Sequence, residues 1–402
     1  MNFISFPSTC LITNNQYLLP FSFSCRILCL FLKQQWRHIR GKDNKNKHTI
    51  NDLTDDVLLH ILSFLKAKEA VQTCILSKRW INLWKILPTL TLSSSHFRTS
   101  DSFEEFVSQI LSLRDGSITI RVLDFQRNYC MEHSLLQRII KYVVSHNVQH
   151  LIMDFPCDIN HFPSCFFSCQ TLTSLNLSGF HILFGHKLIF PNFLNLPALT
   201  SLSLKYFAFQ RGDDNVCVEP FSTFKMLNSL IIDCCIVMDA QNLCISSTKL
   251  VSFTILMCDC DLETYIGTYF ELELYAPCLH TFSFTGLYIP KLFGSKSFLY
   301  SIKHLNIHLW CYWNLKSAET SPLLLNWLVE LANIESLTVS SNTLEVLSLV
   351  PDLLNVELSY LCNLKSLKIK TYLSSSIPDG MIDLLIQNSP SAKVDILQDI
   401  IR

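Results

Sequence analysis

The sequence predicts an α/β protein in which a small helical module precedes a solenoid of stacked parallel strands. Two observations predict this fold. Three short helical patterns fill residues 50–90, and each carries more apolar surface than so small a unit buries alone. Beyond Ser100, a short pattern with the alternation of a half-buried strand recurs ten times at a nearly constant period. We therefore expect an extension over 1–47, a helical module over 48–90 and a solenoid over 100–395.

The composition of the chain excludes several classes of function. The chain has 402 residues, is 49% hydrophobic and 16% charged, and carries a formal net charge of -1. Binding to nucleic acid is not expected, because phosphate neutralisation needs a basic surface. Glycine occurs only nine times, without a Gly-rich phosphate-binding motif. The 17 cysteines lie mostly within apolar runs, which favours a reduced intracellular protein over a disulfide framework.

The first 47 residues differ from the remainder of the chain. Residues 17–32 are apolar, but Pro20 and Arg26 interrupt them, and the run is shorter than a bilayer requires. A signal peptide would carry positive charge before the apolar run, whereas here the basic residues follow it. We expect an accessory or disordered extension, or translated non-coding sequence, and a cytoplasm-facing membrane anchor is the alternative. The basic tract 42–48 is expected to be a solvated linker, with nuclear import as its alternative.

The helical module contains signals for the starts and ends of its helices. Thr54 is expected to cap the first helix, and an acidic pair follows in the first turn, where the helix dipole favours negative charge. This helix carries a broad apolar stripe made of Val57, Leu58, Ile61, Leu62 and Leu65. A second helix is expected over 68–75. The third is capped by Ser77 and ended by Pro88, with one apolar face made of Trp80, Leu83, Trp84 and Leu87.

The order and spacing of these residues resemble an F-box. The resemblance rests on Leu53, the acidic pair, VLLHILSFL at 57–65 and LSKRW at 76–80. The LSKRW form is typical of plant F-box proteins that carry leucine-rich repeats. One position departs from the family, since Thr54 stands where a partner-packing proline usually follows the leucine. The alternative interpretation is an ordinary helical hairpin that caps a larger domain.

The resemblance implies an interface with a Skp-type adaptor. We expect the apolar stripes to be exposed in the isolated chain and buried in the complex. The expected adaptor-binding residues are Leu53, Val57, Leu58, Ile61, Leu62, Leu65, Val71, Leu76, Trp80 and Trp84. Aliphatic and aromatic residues in packed centres carry most binding energy. The expected anchors are therefore Leu58, Ile61, Leu62, Trp80 and Trp84.

The pattern apolar-x-x-apolar-x-apolar fills the rest of the chain. It starts at residues 120, 148, 172, 199, 227, 250, 279, 302, 334 and 364, and an extra match at Leu344 is out of phase. This period is typical of leucine-rich repeats, whose parallel strands line the concave face of a solenoid while helices and loops form the convex face. Residues 323–332 are expected to be one such helix. The usual Asn or Cys of the turn occurs only at four positions, so we expect an irregular solenoid: Asn128, Cys235, Cys258 and Asn342.

The sequence predicts no catalytic residue, no cofactor and no metal site. The histidines are dispersed over different repeats, without a nucleophile motif beside them: His150, His181, His186, His280, His304 and His308. Cys258 and Cys260 lack the second ligand pair of a zinc site. Asp259, Asp261 and Glu263 alternate, but the glycine and closing glutamate of a calcium loop do not follow. Solvated or satisfied residues on a repeat surface are the simpler interpretation.

An F-box followed by leucine-rich repeats resembles the substrate-receptor subunits of SCF-type ubiquitin ligases. The resemblance covers residues 48 to about 395 and implies that the adaptor bridges the F-box to cullin while the repeats bind a protein target. Such a subunit performs no chemistry, and we expect it in the cytoplasm, the nucleus or both. Residues 333–370 are also similar to plant F-box proteins that end in an FBD region, which we expect to be truncated here.

Two other classes of protein remain open. One is a leucine-rich-repeat scaffold without a ligase role, which Thr54 suggests because it replaces the partner-packing proline. The other is a membrane-tethered version anchored by residues 17–32. The sequence does not name the target. We expect the repeat leucines Leu175, Leu202 and Leu367 to be structural, and the candidate target-binding residues on the concave face to be Asn176 and Ser203.

Overall fold

The fold was described from a computed structural model of the chain. The described residues are 50–114, 116, 118–127, 132–154, 159–179, 188–191, 194–210, 217–257, 270–310, 317–331, 333–351, 361–372 and 376–398. The expected extension over 1–47 lies outside these residues. The chain divides into two compact units, Met1–Phe155 and Pro156–Arg402. The first unit therefore joins the helical module to the first two predicted repeats.

The helical module is shorter in its third part than the sequence suggests. Its elements are a 3₁₀ turn Ile50–Asp52, helix α1 (Asp55–Ser63), helix α2 (Ala67–Gln72), and 3₁₀ turns Thr73–Ile75, Lys78–Ile81 and Leu83–Ile86. The predicted third helix is thus a pair of 3₁₀ turns joined at Asn82. The second turn ends at Leu87, whose backbone is extended, because the residue before a proline is disfavoured in the helical region.

The two predicted caps stand at the expected positions but make no side-chain capping bond. Thr54 precedes α1 with extended backbone, and its carbonyl accepts a hydrogen bond from the Leu58 amide at 3.1 Å. Ser77 precedes the turn Lys78–Ile81, and its hydroxyl donates to Asn51 instead. The start of α1 thus relies on its acidic first turn and the helix dipole.

The first unit continues as alternating strands and helices. Its further elements are β1 (Thr89–Ser93), α3 (Ser100–Leu113), β2 (Val122–Gln126), α4 (His133–Ser145) and β3 (His150–Asp154). The strands pair in parallel, with Leu90 opposite Leu123 and Leu123 opposite Leu151. These leucines are buried beneath the apolar faces of the two helices. Strand β1 was not predicted, although Leu87, Leu90 and Leu92 follow the repeat pattern.

The second unit contains the remaining repeats. Its strands are β4 (Ser174–Ser178), β5 (Leu188–Ile189), β6 (Ser201–Lys205), β7 (Phe207–Gln210), β8 (Cys217–Val218), β9 (Ser229–Asp233), β10 (Ile236–Met238), β11 (Asn242–Ser246), β12 (Ser252–Leu256), β13 (Glu271–Tyr275), β14 (Thr281–Gly286), β15 (Leu292–Gly294), β16 (His304–Leu309), β17 (Ser336–Ser340), β18 (Ser366–Thr371) and β19 (Lys393–Gln398). The long sheet has the order β4-β6-β9-β12-β14-β16-β17-β18-β19, and its strands are parallel.

The long sheet has one buried and one open face. In β4, for example, Leu175 and Leu177 are buried, while Ser174, Asn176 and Ser178 are only half-buried. The same alternation holds in β6, β9, β12 and β14. A strand lies at each of the ten predicted matches, two in the first unit and eight in the second. The predicted α/β fold with a parallel-strand solenoid is therefore confirmed.

The other side of the core differs from the prediction of helices and loops. Between residues 188 and 294, short strands form two further parallel sheets, β10-β7-β5 and β15-β13-β11-β8. Five phenylalanines fill the core in this region, with ring centroids 5.3–6.5 Å apart in the contacting pairs: Phe190, Phe207, Phe209, Phe221 and Phe224. Edge-to-face aromatic packing of this kind stabilises a core beyond simple area burial.

Helices cover the later repeats of the second unit. They are α5 (Lys296–Leu299), α6 (Ser317–Glu330), α7 (Ser341–Ser348) and α8 (Met381–Ile386). Helix α6 contains most of the segment predicted as helical, and its Trp327 packs on Phe282 and Phe284 while donating to the Pro290 carbonyl at 3.0 Å. The out-of-phase match at Leu344 lies mostly in α7, where Leu344 and Leu347 are buried at a helical rather than a strand spacing, while Leu349 after the helix is exposed.

The four predicted turn residues have different outcomes. The Cys235 thiol is buried and donates to the Leu204 carbonyl of the preceding repeat at 3.4 Å, which is the expected role. Asn342 does not have this role, because it lies in the first turn of α7. There the buried hydroxyl of Thr343 accepts from the Leu309 amide at 3.0 Å and donates to the Ile307 carbonyl at 3.1 Å. Asn128 and Cys258 lie outside the described residues.

Candidate functional site

Helix α1 has two apolar faces rather than one. Leu58 and Leu62 are 0% exposed and Leu65 is buried beside them, at the spacing of one helical face. Val57, 43% exposed, and Phe64, 73% exposed, lie on the other face together with half-buried Ile61. The inner face therefore builds the core of the F-box segment, and the outer face leaves apolar side chains in solvent.

A second exposed apolar pair follows α2. Ile75 and Leu76, at the end of the 3₁₀ turn Thr73–Ile75, are 55% and 42% exposed. We define the outer apolar set as Val57, Ile61, Phe64, Ile75 and Leu76. Several large apolar side chains exposed within about twenty residues are typical of a protein-binding surface, because leaving them in water gains nothing for folding.

The structure divides the ten predicted adaptor-binding residues into two groups. Six are buried within the chain itself: Leu58, Leu62, Leu65, Val71, Trp80 and Trp84. The expectation that the apolar stripes stay exposed in the isolated chain is wrong for these six. They pack with the apolar residues of α2 and the 3₁₀ turns, so the small unit buries more of its own surface than its size suggested. Val57 and Leu76 are exposed, and Leu53 and Ile61 are half-buried.

Sequence reasoning missed Phe64 and Ile75. Phe64 lies seven residues after Val57 and three after Ile61, so it continues the outer face of α1. The signal was present in VLLHILSFL, but the prediction merged two faces of the helix into one broad stripe. His60 is also on this face, and its ring packs edge-to-face on Phe64 at 4.9 Å.

The LSKRW motif holds the N-terminal turn of the F-box segment. The Asn51 side-chain oxygen accepts from the Trp80 indole at 3.0 Å and from the Ser77 hydroxyl at 3.1 Å. Arg79 donates to the Asn51 carbonyl and, through its Nε, to an Asp55 carboxylate oxygen at 2.8 Å. These contacts join the turn before α1 to the loop after α2.

Buried arginines tie the F-box segment and helix α3 into the first unit. The Arg114 guanidinium is buried and donates to the Trp84 carbonyl at 3.1 Å and to the Leu87 carbonyl. It thereby satisfies carbonyls at the end of the last 3₁₀ turn. Arg127, directly after β2, forms a 2.7 Å ion pair with Glu104 of α3. The F-box segment is thus anchored to the first repeats of its own unit by buried charge-assisted bonds.

The open face carries both candidate target-binding residues. Asn176 and Ser203 are half-buried neighbours in register on β4 and β6. Leu175, Leu202 and Leu367, predicted to be structural, are at most 1% exposed. One row of the open face carries a hydroxyl on five successive strands, in register: Ser174, Ser201, Ser229, Ser252 and Thr281. The face is therefore polar and largely uncharged over β4 to β14, apart from the Lys205–Asp233 pair at 3.2 Å.

The first unit carries a half-buried carboxylate, Asp124, in strand β2. Asp124 of β2 accepts from Gln126 with one oxygen, and its other oxygen is buried without a hydrogen-bond partner among the described residues. Burial raises the pKa of this carboxyl above its ordinary value, and nearby Asp154 adds to the effect while Lys66 opposes it. This group lowers stability when ionised.

No chemical site is assembled in the part of the chain that the structure describes. Within it, no group of three or more His, Cys, Asp or Glu side chains is placed to hold a metal ion. His150 lies in β3 and His280 directly precedes β14, whereas His304 and His308 both lie in β16. His181, His186, Cys258, Asp259, Cys260, Asp261 and Glu263 lie outside the described residues. Burial raises the pKa of the Cys235 thiol to about 12, so this cysteine is not a nucleophile.

The cysteines differ from the prediction at one position. Eight of those in the described segments are free thiols, whereas Cys234 is disulfide-bonded. The expectation of reduced cysteines is therefore wrong at Cys234. Among the described helices, none is long and apolar enough to cross a membrane. The apolar run 17–32 lies outside the residues to which that finding applies.

Comparison with known proteins matches both parts of the chain. The F-box domain family matches residues 50–92. An F-box/FBD/LRR-repeat protein of Arabidopsis thaliana is 26% identical over 378 residues, which cover 89% of this chain and 78% of that protein. An FBD-associated F-box protein of Arabidopsis thaliana is 31% identical over 280 residues, covering 64% of this chain and 66% of that protein.

A third relative, F-box/LRR-repeat protein 13 of Arabidopsis thaliana, is 30% identical over 224 residues, which cover 54% of this chain and 48% of that protein. The matched F-box, the parallel-strand repeats and these relatives agree with one another. The chain contains an F-box domain and is similar to plant F-box proteins that carry leucine-rich repeats.

Proposed function

We propose that this protein is the substrate-recognition subunit of an SCF-type E3 ubiquitin ligase. The F-box docks on a Skp-type adaptor, the adaptor bridges to cullin, and the repeats bind the protein to be ubiquitinated. Proteins that combine an F-box with leucine-rich repeats generally act as such receptors. The observation that carries the proposal is the outer apolar set, four of whose five side chains are exposed and which lies within the matched F-box.

The adaptor interface follows from the exposure of these side chains. Val57, Ile61, Phe64, Ile75 and Leu76 are the proposed contact residues, together with Leu53. The six buried members of the predicted set support this surface from below and do not reach a partner themselves. Phe64 is the proposed anchor, because a large aromatic side chain gains most when a partner removes it from water.

The repeats are proposed to capture the target through the open face. Side chains there alternate with buried leucines, so they can be replaced without disturbing the core. Asn176 and Ser203 are candidate contacts in register on neighbouring strands. Charge introduced at Asn176 or Ser203 should reduce target capture while leaving the adaptor bound.

The protein is proposed to contribute proximity rather than chemistry. A receptor that holds both adaptor and target raises the effective concentration of a target lysine near the charged conjugating enzyme. No catalytic residue, cofactor or metal is needed for this role. We place it in the cytoplasm, the nucleus or both, with no nucleic-acid partner.

A scaffold without a ligase role is the second candidate function, because Thr54 replaces the usual proline at the adaptor interface. Thr54 is exposed and its side chain makes no capping bond. This partner-facing position therefore lacks the apolar ring that a proline would present. A membrane-tethered version depends on residues 17–32 and is tested by fractionating the full chain against a form that starts at Lys42.

The deciding experiment measures binding of the purified full chain to a purified Skp-type adaptor by isothermal titration calorimetry. The ligase proposal expects a one-to-one complex. Addition of cullin with its RING partner, the activating and conjugating enzymes, ubiquitin and ATP should then yield ubiquitination of a co-purifying target. Absence of adaptor binding by a folded chain would favour the scaffold. The threonine is tested directly by Thr54→Pro, which should strengthen adaptor binding.

A further inference from the structure

We propose that Asn51 is a positioning residue for the adaptor-binding face, and that LSKRW acts through it. This inference rests on the proposed function. Asn51 joins the 3₁₀ turn Ile50–Asp52 to the loop that carries Ser77, Arg79 and Trp80. It thereby fixes the direction in which Leu53 and the start of α1 meet the adaptor.

The contacts converge on one side chain. The Asn51 Oδ1 atom accepts two hydrogen bonds, from the Trp80 indole at 3.0 Å and from the Ser77 hydroxyl at 3.1 Å. Its backbone carbonyl accepts a third, from Arg79. Arg79 also pairs with Asp55 in the first turn of α1. Two donors from the LSKRW loop therefore meet on Asn51 Oδ1, and the arginine of that loop links Asn51 to Asp55.

The N-terminal turn lies at the surface of the F-box segment. None of the residues in Ile50–Asp52 is fully buried, and Ile50 is half-buried. A 3₁₀ turn of three residues is not stable by itself, because its hydrogen bonds are poorly aligned and nucleation is costly. Leu53 directly follows this turn and its amide bonds back to Ile50 at 3.4 Å. The contacts made by Asn51 therefore contribute to the orientation of Leu53.

The same contact links the core to the binding face. Trp80 is 1% exposed, so its ring belongs to the core of the F-box segment. Its indole N–H donates a hydrogen bond to the Asn51 side chain. A buried donor needs an acceptor, since an unsatisfied one is costly. Asn51 supplies that acceptor while lying at the surface itself. The tryptophan thus influences adaptor binding through the turn and not through contact.

The test compares three variants of the full chain for affinity to a purified Skp-type adaptor. Asn51→Ala removes the acceptor and should weaken binding about tenfold. Asn51→Asp keeps an oxygen at the same position and should bind nearly as well as the parent. Asn82→Ala is the matched control, because Asn82 is an exposed asparagine between the two 3₁₀ turns of the same segment, and its affinity should not change.

Two readouts separate positioning from general stability. Hydrogen–deuterium exchange at residues 50–54 should accelerate in Asn51→Ala, while exchange in α2 stays as in the parent. In a double-mutant cycle with Leu53→Ala, the two losses should not add, because both act on the same contact. Ser77→Ala removes one donor only and gives a milder case should Asn51→Ala fail to fold.

The outcomes distinguish this inference from the proposed function. If the parent chain does not bind the adaptor, the proposed function fails first. If the parent binds and Asn51→Ala binds equally well, the inference is overturned. Equal losses in Asn51→Ala and Asn51→Asp, or fully additive losses with Leu53→Ala, would also overturn it, since Asn51 would then act as a direct contact.

Discussion

The two faces of α1 predict opposite consequences for two neighbouring substitutions. Leu62→Ala removes a side chain that is 0% exposed, whereas Phe64→Ala removes one that is 73% exposed. We expect the first to act on stability and the second on adaptor binding. The pair is matched, because both residues lie within three positions of each other at the end of the same helix.

The magnitudes follow from the exposed areas. Deleting a buried leucine side chain costs about 2–5 kcal/mol of folding free energy. A phenylalanine buries roughly 200 Å² when fully covered, so the adaptor has roughly 150 Å² of Phe64 still to cover. At ~25 cal/mol per Å² this corresponds to an upper limit of about 3–4 kcal/mol. Because coverage by a partner is incomplete, we expect Phe64→Ala to lose about 2 kcal/mol of affinity, roughly thirtyfold.

The assay combines thermal unfolding with adaptor titration for each variant. Phe64→Ala should keep the unfolding midpoint close to that of the parent, and Leu62→Ala should lower it clearly. A Phe64→Ala variant that binds within twofold of the parent while folded would refute the assignment of the outer face. Loss of stability in Phe64→Ala equal to that of Leu62→Ala would show that Phe64 belongs to the core.

Three further predictions concern the repeats and the first unit. Gly179→Ala should lower the unfolding midpoint, because the new Cβ would lie 2.6 Å from a backbone carbonyl oxygen, at a cost of about 1–3 kcal/mol. Gly116→Ala, whose new Cβ has nothing within 4 Å, should have no effect. Equal midpoints of these two variants would contradict the packing at Gly179. Leu202→Ala should cost about 2–5 kcal/mol of folding free energy, while Ser203→Asp should keep the unfolding midpoint of the parent. If circular dichroism melts show the larger loss for Ser203→Asp, the assignment of the buried and open faces is wrong. Asp124→Asn should raise the unfolding midpoint at neutral pH. This gain in midpoint should shrink as the pH falls through the raised pKa of the folded carboxyl toward its pKa in the unfolded chain, because the parent then loses the buried charge. A gain that does not change with pH would contradict this.

The period of the apolar pattern predicted the positions of the repeat strands because each strand has one buried face. The same rule missed β19, whose pattern is incomplete, since Ser391 stands where the first apolar residue is expected. Strand β1 was missed because Leu87 and Pro88 were assigned to the end of a helix, although Leu87 also begins a repeat. Five of the seven strands on the other side of the core carry only two to four residues each, too few for a clear period, and β11 and β13, with five residues each, were not recognised.

The candidate site was less predictable than the fold. Residues of both faces of α1 are apolar, so sequence alone does not say which face the chain itself buries. That depends on the packing of Leu58 and Leu62 against residues distant in sequence. The role of Asn51 was not predictable either, because its partners, Ser77 and Trp80, lie 26 and 29 residues away. Long-range packing and hydrogen bonding decided both points.

Photo-crosslinking from the outer face of α1 tests the central claim most directly. A benzophenone amino acid is placed at position 64, at position 75, or at position 349, where Leu349 is 50% exposed on the second unit. Each full chain is then irradiated with a purified Skp-type adaptor. The account predicts crosslinks to the adaptor from positions 64 and 75 and none from position 349. A crosslink from position 349 without one from position 64 would contradict it.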